Sequence, residues 1–148
     1  CACSCQPGAK YADGGDASVD ALQSYGRSIG IAFQIADDLL DVVGDELETG
    51  KSLGTDLEKQ KPTLPVIHAL DQANPEQRQQ IIDVLLGPAE DRAAGLQPWL
   101  DKFLSLEYAR DKADAYIQQG CDALSILPDS EAKNTLLTLA GFVIKRSC

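Results

Sequence analysis

Between residues 19 and 43, apolar or small side chains recur at Val19, Leu22, Gly26, Ile29, Phe33, Ala36, Leu40 and Val43. That i, i+3, i+4 rhythm commits about seven turns of chain to one helix with a buried face. The alternation of a half-buried strand appears nowhere in the chain, so the pattern predicts an all-α fold. The turn-like Asp13-Gly14-Gly15-Asp16 precedes this helix, and Asp16 or Ser18 is placed to cap it. Gly26 and Gly30 lie one turn apart on one side. Glycine weakens a helix, so the pair predicts a neighbouring helix packed very closely there.

Residues 44–63 form a long polar stretch with Gly44, Gly50 and Gly54 and no periodic core, ended by Pro62 and Pro65. Loops of that length are usually functional or disordered. A helix is expected to begin over Leu64–Leu70. Asn74-Pro75-Glu76 opens another that runs to about Leu86 and stops at Gly87-Pro88. Phe103, Leu106, Ala109, Ala113, Tyr116, Ile117, Cys121 and Leu124 predict one long amphipathic helix between Trp99 and Leu127. Pro128-Asp129-Ser130 breaks and recaps the chain, and Leu136, Leu139, Ala140 and Val143 mark a final helix. Internal repeats and low-complexity segments are absent.

With 13 Lys and Arg against 23 Asp and Glu, the formal net charge is −10. A surface of that sign repels phosphate backbones and argues against nucleic-acid binding. An anionic ligand would need a bound cation to offset the repulsion. No apolar run approaches the ~18 residues of a membrane span, and no basic start followed by an apolar stretch marks a secretory signal. Cysteines at 1, 3, 5, 121 and 148 are odd in number and crowded at one end, which is no disulfide framework. Cys1 and Cys5 share one helical face as small apolar residues, and reduced thiols fit a cytoplasmic protein. The chain holds no methionine and begins at Cys1, so it is expected to be a piece of a longer protein.

The chemistry concentrates in Gln34 and in Asp37-Asp38-Leu39-Leu40-Asp41. On a helix Asp37 and Asp38 both lie about one turn from Asp41, and Gln34 precedes Asp37 by three, so all four lean to one side. Phe33, Ile35, Ala36, Leu39, Leu40, Val42 and Val43 wrap that helix in apolar residues, so the carboxylates are expected to be half-buried and mutually repelling. Clustered carboxylate oxygens suit a hard cation, and Mg²⁺ takes one or two of them together with water and phosphate oxygens. The loop supplies positive charge at Lys51, Lys59 and Lys61. Magnesium on the aspartates and lysines on the loop would together hold a diphosphate. The GKSLG run is not a P-loop, because the GxxxxGK[ST] spacing is missing and no strand precedes it.

Gly26-Arg27-Ser28-Ile29-Gly30-Ile31-Ala32-Phe33-Gln34-Ile35-Ala36-Asp37-Asp38-Leu39-Leu40-Asp41 resembles the second aspartate-rich region of the polyprenyl synthetase family. Thr49-Gly50-Lys51-Ser52-Leu53-Gly54-Thr55-Asp56 and Lys61-Pro62-Thr63-Leu64-Pro65 resemble the segments that follow it, and the ending from Leu127-Pro128 to Lys145-Arg146 is similar too. The resemblance spans essentially the whole chain. It implies the C-terminal half of one all-helical domain of the isoprenoid synthase type, a helical bundle around a deep cavity. It also implies a prenyltransferase that joins isopentenyl diphosphate to an allylic diphosphate, with Mg²⁺ as cofactor and a homodimer as the assembled state. Carried over by motif, Asp37, Asp38 and Asp41 would serve magnesium, with Asp37 a direct ligand. Gln34 and Phe33 would meet the allylic substrate, and Lys51 and Lys61 would contact its diphosphate.

The family carries a first aspartate-rich motif and a Lys-Thr pair upstream, and neither falls within these 148 residues. The chain alone is therefore expected to be catalytically incompetent. Two other readings stand beside the synthase: a non-catalytic partner of a synthase subunit, and a terpene cyclase of the same fold. Intact Asp37, Asp38, Asp41, Lys51 and Lys61 count against the first, and the GKSLG and KPTLP segments count against the second. Among other residues, His68 is expected to be structural, Trp99 to plug a helix junction, and Tyr25 and Tyr108 to pack. Arg27 faces either isopentenyl diphosphate or a salt bridge, and Asp56 is a candidate second partner of the lysine loop or of a magnesium-bound water.

Overall fold

Seven helices account for nearly all of the chain that the computed structural model describes, residues 1–43 and 62–146. In chain order they are α1 (Ala2–Tyr11), α2 (Asp16–Val43), α3 (Leu64–Gln72), α4 (Pro75–Leu86), α5 (Ala89–Lys102), α6 (Ser105–Ala123) and α7 (Glu131–Arg146). A single 3₁₀ turn, Leu124–Ile126, extends α6, and no strand occurs among the described residues. The all-α expectation holds. The contacts divide the chain into two units, residues 1–36 with 112–148 and residues 37–111.

The first unit is built on α2. Neither predicted cap serves: the Gly15 carbonyl accepts from the Ser18 and Val19 amides, and Asp16 is the first helical residue. Asp16 still favours the helix start through the dipole rather than by capping. Tyr25, Ile29, Ala32 and Ala36 of α2 meet Ile117, Leu124, Ala140 and Val143 in a continuous core. Tyr25 is 2% exposed, and its hydroxyl donates to the Leu136 carbonyl at 2.7 Å. Burial, and then the neighbouring thiols Cys5 and Cys121, push that hydroxyl up to about 12, so it remains a donor.

Gly26 and Gly30 do what the sequence implied. A Cβ on Gly26 would lie 2.8 Å from the Cys5 Sγ and 3.0 Å from both the Ala2 Cα and the Cys1 carbonyl oxygen. A Cβ on Gly30 would lie 3.4 Å from the Cys1 Cβ. The neighbouring helix is α1, and Cys5 packs on the core as a small apolar residue. Gly120 on α6 works the same way, with Ile29 side-chain atoms 3.2 Å from where its Cβ would be.

In the second unit α5 packs against α4 and α3. Asn74 and Gln77 form a reciprocal capping box on α4, with the Gln77 amide donating to Asn74 Oδ1 at 2.9 Å and the Asn74 amide to Gln77 Oε1 at 3.1 Å. Buried Arg92 donates to the Gly87 carbonyl from Nε at 3.1 Å and from Nη2 at 2.8 Å, which satisfies an orphan acceptor after α4.

The structure corrects the sequence reading in this unit. Residues 89–102 form a helix that was not expected, and the single helix predicted between Trp99 and Leu127 is two helices. Gly95 and Pro98 disguised the first. Gly95 is there because a Cβ would come within 2.7 Å of Val84 Cγ1, so it serves packing on α4 rather than a turn. The break between α5 and α6 carries no glycine. Leu104 instead takes a left-handed φ of 51°.

Candidate functional site

The residues singled out in sequence fall on the last turns of α2. Gln34 is exposed and Phe33 is 41% exposed, while Asp37, Asp38 and Asp41 are half-buried. Ile35, Ala36 and Leu39 are buried, so the apolar wrapping holds on one side only. The helix is not enclosed all round as the sequence suggested. It presents an open edge at Phe33 and Gln34, with the carboxylates beside it in helical register.

Two features of that position favour a cation. Asp41 sits in the last turn of a 28-residue helix, where the backbone carbonyls already carry partial negative charge, and Asp37 and Asp38 lie about one turn before it. No basic residue occupies the last turn to offset it. A carboxylate in that last turn, as at Asp41, costs about 0.3–1 kcal/mol at the surface. Among the described residues, no three His, Cys, Asp or Glu side chains converge into a ready-made metal cage. Carboxylate oxygens are hard donors, and a hard ion bound by one or two of them completes its shell with water and ligand oxygens. Lys51, Asp56, Lys59 and Lys61 lie outside the described residues.

Other predicted residues resolve into structural roles. His68 shares a 3.1 Å hydrogen bond through Nδ1 with Ser105 Oγ and stacks on Tyr108, with ring centroids 3.9 Å apart and planes 12° apart. Trp99 stacks on Phe103 of the following turn, with Lys102 Nζ 5.2 Å above its ring. It is half-buried near the end of α5. Arg27 is exposed and opens onto a groove of ≈ 460 Å³ together with Asp20, Ser24, Ser28 and Tyr116. None of the ion pairs found among the described residues involves it.

Two features escaped the sequence. The partner that fixes His68 could not be read, because Ser105 lies 37 residues away across two helices. Thr63, the residue preceding α3, is 4% exposed with a hydroxyl that has no hydrogen-bond partner among the described residues. A buried hydroxyl in a KPT run gives no signal that distinguishes it from an ordinary helix cap.

The polyprenyl synthetase family profile matches residues 1–97, which include all of α2 and the lysine-bearing segment. The chain is 37% identical to a short-chain isoprenyl diphosphate synthase of Methanothermobacter thermautotrophicus, over 94% of this chain and 43% of that protein. It is also 37% identical to an octaprenyl diphosphate synthase of Haemophilus influenzae, over 96% of this chain and 44% of that protein. A crystal structure of geranylgeranyl pyrophosphate synthase from Corynebacterium glutamicum, complexed with calcium and isoprenyl diphosphate, superposes with a TM-score of 0.79 at 33% identity. It is matched over 96% of this chain and 44% of its own. The chain thus spans less than half the length of the relatives it matches.

Proposed function

The chain belongs to the polyprenyl synthetase family, and from that premise we propose that the whole protein is an all-trans isoprenyl diphosphate synthase. It joins isopentenyl diphosphate to an allylic diphosphate and releases diphosphate. The observation that carries this reading is the trio Asp37, Asp38 and Asp41 at the carbonyl end of α2, within the residues the family matches.

In this reading the three carboxylates would hold Mg²⁺, with Asp37 as a direct ligand. The ion supplies charge neutralisation to the departing diphosphate when bound. Lys51 and Lys61 contact the same diphosphate, and ammonium charge there is worth most as the allylic C–O bond breaks and the leaving group takes the electron pair. Gln34 orients the allylic end, and Phe33 lies against the chain beside it. The isopentenyl double bond then forms the new C–C bond, and loss of a proton, taken up by diphosphate, restores the alkene. The open edge of α2 at Phe33 and Gln34 is where such a chain would pass. The assembled enzyme is a cytoplasmic homodimer. Among the described residues, no helix is long and apolar enough to cross a membrane.

The test is diphosphate release by the full-length native protein, supplied with both substrates and titrated with magnesium. Asp37→Ala is expected to lower kcat by about 10²-fold or more, the scale of losing one electrostatic stabiliser of the transition state. Turnover that is indifferent to magnesium and to Asp37→Ala would sink the proposal.

A further inference from the structure

The last helix is apolar on two opposite sides. Leu136, Ala140 and Val143 of α7 pack on the core of the first unit. Turned away from them is a stripe of Asn134, Thr135, Thr138, Leu139 and Phe142, which with Glu131 lines a groove of ≈ 510 Å³. Leu139 is 51% exposed and Phe142 59%. No charged residue occurs from Asn134 to Val143, although charged residues make up 24% of the chain. A surface helix carries its charge on the side away from the core, and α6 does so with Asp111, Lys112, Asp114 and Asp122. The outer side of α7 does not.

The threonines on this stripe have little need of water. Thr135 Oγ1 donates to the Glu131 carbonyl and Thr138 Oγ1 to the Asn134 carbonyl, each at 2.8 Å. Both hydroxyls are turned back on their own helix, so covering them strands no donor and avoids the main cost of burying a polar group.

Size decides what such a stripe can take. From Glu131 to Phe142 it is roughly 18 Å long and about 10 Å wide, far short of the ~800 Å² per partner that a stable interface between separate proteins buries. A tethered segment needs less area, because its linker holds it at about millimolar effective concentration.

We propose that the outer stripe of α7 is an intramolecular docking surface: in the whole protein it seats an apolar helix from the part of the polypeptide outside these 148 residues. The chain spans less than half the length of the relatives it matches, so a whole protein of their size supplies the tethered segment. This rests on membership of the family, apart from the chemistry proposed above.

The test uses the purified full-length native protein with Thr138→Cys as a probe. Cysteine is close to threonine in size, and maleimide labelling at residue 138 is read by peptide mass spectrometry, which separates it from the native cysteines. Labelling is expected to be about 100-fold slower than in the same protein unfolded in urea, at every protein concentration. A photoreactive phenylalanine analogue in place of Phe142 is expected to cross-link within one chain, to a peptide outside residues 1–148. Should Thr138→Cys fail to fold, Thr135→Cys probes the same stripe. Labelling as fast as in urea shows an open surface and overturns the inference. Protection that is lost on dilution shows a second copy on the stripe and overturns it too. Cross-links that fall within residues 1–148, that join two chains or that fail to form do the same. Diphosphate release by the unmodified protein tests the synthase reading apart from any of these results.

Discussion

Replacing Gly26 with alanine sets a favourable local effect against an unfavourable tertiary one, and the structure decides which wins. In an isolated helix the change gains about 1 kcal/mol of propensity. Here the new Cβ would lie 2.8 Å from Cys5 Sγ and 3.0 Å from the Ala2 Cα and the Cys1 carbonyl oxygen. Sulfur can rotate aside, but the other two atoms belong to the backbone of the α1 end, so α1 itself has to move outward. Overpacking of that kind costs about 1–3 kcal/mol. The net expectation is a loss of about 1 kcal/mol, or roughly 3 °C in Tm for a chain of this size. Gly8→Ala is the control, because nothing lies within 4 Å of its Cβ position on α1. It keeps the propensity gain and should raise Tm by a similar amount. Thermal unfolding followed by circular dichroism reads both, and Cys5→Ala in the Gly26→Ala background should restore only part of the loss. A Gly26→Ala protein as stable as Gly8→Ala would refute the claim that α1 packs on α2 through this glycine.

Tyr25→Phe removes the 2.7 Å bond to the Leu136 carbonyl and should cost about 1 kcal/mol near neutral pH. Because the Tyr25 hydroxyl is raised to about 12 in the folded protein, native protein holds a proton that unfolded chain has lost above pH 10. The stability this contributes is complete below pH 10 and falls as pH rises from 10 to 12, so denaturant titrations across that window should be steeper for wild type than for Tyr25→Phe. Leu104→Gly, at an exposed left-handed position, should stabilise the α5–α6 corner by about 1 kcal/mol, read as a higher urea midpoint. Asn74→Ala deletes the capping box on α4 and should lower stability by about 1 kcal/mol with an unchanged m-value.

Local chemistry was legible in the sequence wherever the cause lay within a few residues. The capping box at Asn74 and Gln77, the Ser130 side chain that accepts from the Lys133 amide at 3.2 Å, and the α2 register each depend on i to i+4 relations that a linear string displays. Even the tight contact at Gly26 and Gly30 was readable, because glycine inside a strong helix pattern costs stability that close packing of a second helix offsets. The same rule was not applied to Gly95, a glycine that serves packing on α4 within a helix that was not expected. It gave no help at Leu104, where an ordinary side chain ends a helix that glycine usually ends.

By itself the sequence determined the helical class, the family, and the placing of Asp37, Asp38 and Asp41 on one side of one helix. Helical periodicity, glycine spacing and ordered motifs are properties of a chain's covalent order, and they survive without knowledge of what packs where. Tertiary structure alone decided that Phe33 and Gln34 lie open while Ile35 and Leu39 are buried, and that α6 begins at Ser105. It alone also gave His68 its partners. Exposure and long-range pairing are set by which helix faces another, and the 37 residues between His68 and Ser105 carry no local signal of that meeting.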